Sequence, residues 1–279
     1  MQIDCRCNMK QEDNYKIRNW VEDLPKRGII TFSIEEVYNL FPSISKRGIA
    51  NALLRLATKG KILSVWKGFY VVIPIEYAHK GVVPPIVYIN QLMEYLKRQY
   101  YIGLLDAASF YAAAHQRPQV FTVITGLPSV RASEKKGIKM KFIIKKNIPI
   151  SFLIQKKTKS GYVLVSSPEL TALDLILYEK EIGGINRAAT VLNELAEELN
   201  FRDMAISIFN NTPIPVVQRL GYLLEKLDYS ELADDLLRKT KEAGILFRKS
   251  PFKAGKDSEG CEYNAKWRII INEEIEIDE

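Results

Sequence analysis

The chain has 279 residues, 47% of them hydrophobic, with 40 basic against 33 acidic side chains and a formal net charge of +7. That length and apolar content allow two domains with separate cores, and the basic surplus suits a polyanionic partner without requiring one. Lys or Arg interrupts every apolar run before it reaches membrane-spanning length, and the odd set Cys5, Cys7 and Cys261 makes no disulfide framework. The opening MQIDCRCNMKQEDNY has no apolar stretch or cleavage site of a signal peptide, so a cytoplasmic protein with reduced thiols is expected.

Residues 13 to 24 can form a short helix with Ile17, Trp20, Val21 and Leu24 on one side, broken over 25–28. Ile29 to Phe32 is strand-like. Ser33 followed by Glu36 has the spacing of a capping box, and the helix it opens carries Val37, Leu40 and Phe41 before Pro42. Ser43 or Ser45 can cap the next helix. There, Ile49, Ala50, Leu53, Leu56 and Ala57 are expected on the packed side and Arg47, Asn51, Arg55 and Thr58 on the other. Gly60 suits the C′ position, and two strands follow around Lys67-Gly68, where glycine supplies the positive φ of a tight hairpin.

Three helices and a hairpin over about seventy residues are the order of a winged helix-turn-helix, a fold that lays its last helix in the DNA major groove. Taken alone, the polar face of that helix is an ordinary solvated face; the helix order and the hairpin favour DNA. Arg47 can fork onto guanine and Asn51 can pair with adenine, while Ser45, Lys46, Arg55, Lys59, Lys61 and Lys67 are placed for phosphates or flanking backbone. Trp66 reads as a hairpin core residue. The domain is expected over residues 1–80, with the linker in the stretch Tyr77 to Pro85 and a second domain over 86–279.

In that second part a helix is expected from Val87 to about Leu96 and another over the small, apolar Leu104 to Ala114. Strands are expected at 120–125, 140–144, 151–154 and 162–165. Ser167-Pro168-Glu169 has the cap, the proline and the acid of a helix start, and Gly183-Gly184 breaks the chain before the next helix. Further helices fit 201–209, 214–227 and 231–243, and a last strand fits 266–272. Strands early and helices late give an α+β fold class: an N-terminal winged helix-turn-helix followed by a mixed C-terminal domain.

Charge is uneven. Lys135, Lys136, Lys139, Lys141, Lys145, Lys146, Lys156, Lys157 and Lys159 crowd one stretch that holds a single acid, Glu134. They read either as a second polyanion surface or as lysines guarding strand edges. No zinc spacing and no phosphate-binding glycine loop occurs, so no metal, cofactor or catalytic residue is expected. The carboxylates of Glu274-Ile-Glu-Ile-Asp278 leave a metal-dependent nucleic-acid-processing enzyme as an alternative, and a transcription factor with a ligand-sensing domain is another.

The segment YYIGLLDAASFYAAAHQRPQVFTVIT (100–125) resembles the signature of the AbiEi-type antitoxins, the antitoxin halves of abortive-infection, type IV toxin–antitoxin systems. The resemblance continues in order through VSSPELTALDLILY (165–178), GGINRAATVLNEL (183–195), VQRLGYLLEKL (217–227) and NAKWRIIIN (264–272). It implies an N-terminal domain that binds inverted repeats in its own promoter and represses the operon. It implies a C-terminal domain that opposes a nucleotidyltransferase-like toxin without requiring a stable complex. By this resemblance His115, Gln116 and Arg117, with Pro118 and Gln119, are candidate antitoxin-domain residues. Arg187 and Arg219 join them as charges on apolar helices, where each could equally make an ion pair within the chain. Tyr111 departs from the pattern, since the family more often carries histidine there.

Overall fold

The computed structural model describes residues 15–113 and 118–275. They divide into two compact units. The first holds the described residues up to Gln99 with Pro128–Phe142 and Lys156–Val163; the second holds Tyr100–Leu127, Ile143–Gln155 and the described residues from Leu164 onward. The first unit thus runs past the expected linker. Val83 and Pro85 are buried in it, so that stretch is packed chain.

The first unit opens with helix α1 (15–23), strand β1 (Thr31–Ser33), helix α2 (Ile34–Leu40) and helix α3 (Lys46–Thr58), followed by β2 (Ile62–Trp66), β3 (Phe69–Val72) and helix α4 (Ile89–Tyr95). α2 starts where it does because Ser33 and Glu36 exchange both bonds of the capping box. Ser45 Oγ accepts from the Gly48 amide 3.1 Å away and fixes the start of α3. β1, β3 and β2 form an antiparallel sheet in that order, Phe32 facing Tyr70 and Leu63 facing Val71. Ile17, Val21, Phe32, Val37, Ile49, Leu53 and Ile62 share one core, and Trp20 sets its ring edge-on to Phe32 at 5.2 Å. One expectation is corrected here. Ala50 is exposed and Ala52 buried, because the packed arc of α3 centres between Leu56 and Ile49.

The chain continues with β4 (Tyr100–Ile102), α5 (Leu104–Ala108), β5 (Val120–Thr125), β6 (Ser133–Lys135), β7 (Ile138–Ile144), β8 (Leu153–Thr158) and β9 (Gly161–Ser166). These strands form a six-stranded sheet in the order β6-β7-β5-β4-β9-β8. β4 pairs antiparallel with β5 and parallel with β9. α5 is shorter than its alanine-rich sequence suggests. A 3-10 turn follows it, and Ala112 takes a left-handed φ of 56°.

Helices α6 (Pro168–Leu177), α7 (Glu179–Ile182), α8 (Ile185–Leu195), α9 (Ile214–Lys226) and α10 (Ser230–Glu242) complete the helical part. α6 is buried on nearly every side, which its run Leu170 to Ile176 demands. Residues 201–205 are not helical; a 3-10 segment covers Ile206–Asn211 in place of the expected helix. A small sheet closes the second unit: β10 (Ser250–Pro251), β11 (Glu262–Asn264) and β12 (Ile269–Ile271), with β12 central. Trp267, fully buried, lies directly on Gly221 of α9, where any Cβ would fall 2.1 Å from the indole.

Candidate nucleic-acid interface

α3 carries its charge on the side away from the core. Arg47, Asn51 and Arg55 are exposed, each separated from the next by one turn, and none has a hydrogen-bond or ion-pair partner among the described residues. From Arg47 to Arg55 the helix rises about 12 Å, the width of a B-DNA major groove. The Arg47 guanidinium and the Asn51 carboxamide are thus presented side by side, the donor and acceptor set that reads guanine and adenine edges, with Arg55 in line behind them for a phosphate. Lys46, in the first turn, sets its ammonium over the Tyr38 ring at 5.4 Å from the centroid. Ser45 is occupied as the cap. Lys59 and Lys61 stand exposed where the helix ends and the sheet begins.

The hairpin that follows is braced within the first unit. Gly68 takes φ 76° in its turn and Lys67 is exposed at the tip. Tyr95 Oη of α4 donates to the Lys67 carbonyl at 3.2 Å, and the Ile34 amide donates to the Gly68 carbonyl at 2.8 Å. The pairing register shifts between Ser64 and Trp66, and the Trp66 ring meets Phe142 edge-on at 6.2 Å. Trp66 is a packing residue, as its sequence context suggests. Sequence reasoning missed Tyr95. A tyrosine at the end of an amphipathic helix carries no signal that its hydroxyl reaches a turn 28 residues earlier.

The lysine-rich stretch resolves into different environments. Lys135, Lys136 and Lys139 are exposed on the β6–β7 hairpin of the first unit, as are Lys157 and Lys159 on the turn side of β8. Lys136 donates to the Gly81 carbonyl at 3.2 Å and Lys159 lies 3.6 Å from Glu76. Lys141 and Lys156 are half-buried, and Lys146 is exposed in the second unit. Lys145 is a correction. It is buried, and its ammonium bonds Asp174 at 2.6 Å. The Asp174 carboxylate also accepts from Tyr101 Oη at 2.6 Å. Burial pushes the Asp174 carboxyl above its ordinary range, and the bonds from Lys145 and Tyr101 pull it back. Lys145 therefore belongs to the core of the second unit and not to a basic surface.

Of the antitoxin-domain candidates, His115, Gln116 and Arg117 lie outside the described residues. Pro118 is half-buried and Gln119 exposed. Arg187 is half-buried on α8. Arg219 is a strut: its Nε donates to the Pro251 carbonyl at 3.2 Å. Burial lowers its pKa, and the nearby Glu179 opposes that shift while itself bonding Lys253. Tyr111, at the departure from the family pattern, donates to the Ser166 carbonyl at 2.7 Å and is a packing residue. Among the described residues no His, Cys, Asp or Glu group is placed to hold a metal ion, and no helix is long and apolar enough to cross a membrane. The terminal carboxylates from Glu276 onward lie outside the described residues. Glu273 pairs with Lys256 at 2.6 Å.

The crystal structure of the RV2827C protein from Mycobacterium tuberculosis is similar over 90% of this chain and 89% of that one, with a TM-score of 0.64 and 13% identity. That likeness shows a shared fold. An antigenic nucleotidyltransferase-like protein from Paracoccidioides brasiliensis overlaps 54% of this chain and 90% of its own, but at 12% identity and a TM-score of 0.34 the likeness is too loose to carry an argument. No curated protein gives a significant match. Residues 101–226, which hold the β4–α5–β5 segment and α6 to α9, match the family model of the AbiEi antitoxin C-terminal domain, and that part of the chain is an AbiEi-type antitoxin domain.

Proposed function

We propose that the chain is the antitoxin of a type IV, abortive-infection toxin–antitoxin system, acting in the cytoplasm and without catalysis of its own. In this reading the first unit is a winged helix-turn-helix that binds inverted repeats in the chain's own promoter and represses the operon. The second unit counteracts a nucleotidyltransferase-like toxin, with no stable complex required. One observation carries the DNA part: Arg47, Asn51 and Arg55 form an exposed row on α3 that no carboxylate or carbonyl of the described residues occupies. The braced hairpin supports it, since Lys67 stands at a tip held on both carbonyls of its turn. The antitoxin part is supported by the matched family domain over residues 101–226.

Gel shifts with the DNA upstream of the gene test the repressor half. The expected result is a specific complex that a scrambled duplex of equal length does not give at the same salt. Equal affinity for both duplexes removes the autorepressor reading. Co-expression with the neighbouring toxin-like gene tests the other half: growth is expected to be restored by the full chain and lost when residues 86–279 are deleted.

A further inference from the structure

Where α9 of the matched domain meets the chain beyond it, the second unit carries a surface that the antitoxin reading leaves unused. α10 ends at Glu242, Gly244 takes a left-handed φ of 67°, and residues 245–249 then run along the surface without regular structure to β10. Leu246, within that run, is 82% exposed. A groove lies on either side of it, one walled by Ile214 and Pro215, the other by Leu237 and Phe247. Lys241, Arg248, Lys249 and Arg268 stand around these grooves, no carboxylate lines either one, and among the described residues none pairs with those four cations.

The frame is held in place. Gln218, buried in α9, donates through Nε2 to the carbonyls of Arg248 at 2.8 Å and Trp267 at 2.7 Å. The Ser250 amide donates to the Arg268 carbonyl at 3.0 Å, and Arg268 itself keeps a left-handed φ of 52°. Charged side chains are thus set on fixed backbone around an aliphatic centre, which lowers the ordering penalty of binding.

An apolar centre inside a charged rim is the anatomy of a protein–protein contact. Single-stranded nucleic acid is gripped by aromatic faces on which bases stack. Here the centrepiece is a leucine, and the face of the exposed Tyr263 ring is already covered by the Lys249 ammonium at 5.3 Å from its centroid. We propose that this face docks an acidic segment of a partner protein, its carboxylates meeting Lys241, Arg248, Lys249 and Arg268 and one of its aliphatic side chains lying against Leu246. The proposal uses no residue of the first unit and stands apart from the DNA reading.

The test is fluorescence anisotropy of the full chain with a labelled, glutamate-rich peptide that carries two leucines. Saturable binding is expected. It should weaken about tenfold with Leu246→Ser, the effect of one interface anchor, and as much with Arg248→Glu combined with Lys249→Glu. Replacing the peptide's leucines by serine, or its glutamates by lysine, should weaken it as well. These side chains face solvent, and an unchanged melting temperature checks that the variants fold. Binding that Leu246→Ser leaves untouched overturns the proposal, as does the absence of saturable binding. A single-stranded oligonucleotide that binds tighter than the peptide and displaces it also overturns it and marks the face as a nucleic-acid surface.

Discussion

The Tyr95 hydroxyl donates to the carbonyl of Lys67 across 3.2 Å, so α4 holds the turn of the β2–β3 hairpin from outside. Gly68 sits beneath the same hydroxyl. A Cβ there would come within 2.7 Å of Tyr95 Oη, on a backbone whose φ of 76° already disfavours any side chain. Gly68→Ala is expected to destabilise the first unit by about 1–3 kcal/mol, and Tyr95→Phe by about 0.5–1.5 kcal/mol. The double variant should lose less than the sum, because removing the hydroxyl relieves the clash. Urea unfolding of the single and double variants measures this.

On the promoter duplex, Arg47→Ala and Asn51→Ala are each expected to weaken specific binding by about 1–3 kcal/mol and to relax base preference at one position. Lys61→Ala and Lys67→Ala should weaken all duplexes alike and reduce the slope of log K against log salt by about 0.9 for each lost phosphate contact. Titrations at several salt concentrations separate the two behaviours. A lysine variant that changes base preference would contradict the assignment.

The Lys145–Asp174 pair predicts an asymmetry. Asp174→Ala leaves a buried ammonium without its partner and is expected to destabilise the second unit by about 3–5 kcal/mol. Lys145→Met combined with Asp174→Leu removes both charges and should be milder than Asp174→Ala alone. Thermal unfolding of the variants distinguishes this from a pair that contributes little.

Tyr88, Tyr101, Tyr111 and Tyr178 hold their protons above the ordinary phenol value of 10.0, burial being the first cause in each. The unfolded chain releases those protons near the ordinary value, whereas the native chain keeps them. The stability they contribute is therefore complete below pH 10 and falls as pH rises beyond it, by about 1.4 kcal/mol per pH unit for each phenol. Tyrosine absorbance and circular dichroism followed through an alkaline titration should show these phenols ionising together with the loss of helix. Full ionisation with the dichroism intact would refute it.

Local signals with a short reach were legible in the sequence. The Ser33–Glu36 box, the Ser45 and Ser167 caps and the turn at Gly68 each depend on residues within three positions, and the structure has all of them. β4 was not legible: a three-residue buried strand has no room for alternation and looks like the approach to the next helix. Lys145 looked like its exposed neighbours because composition assigns charge to a stretch and not to a face. Its partner left a trace in the single acid of the run TALDLIL, since a carboxylate buried on an apolar helix calls for a cation from elsewhere in the chain. Nothing local could have tied Tyr95 to the hairpin turn.

Gly221 and Trp267 decide where this protein can be cut. The indole fills the space that α9 leaves open by having no side chain at 221, and Phe252 and Ile269 join the same core as Leu173, Leu192 and Leu220. The matched domain ends at residue 226, short of all three of these closing residues. A fragment trimmed to that boundary would bare an aromatic-sized hollow along α9 to water, so any expression plan for the second unit must carry the chain through β12.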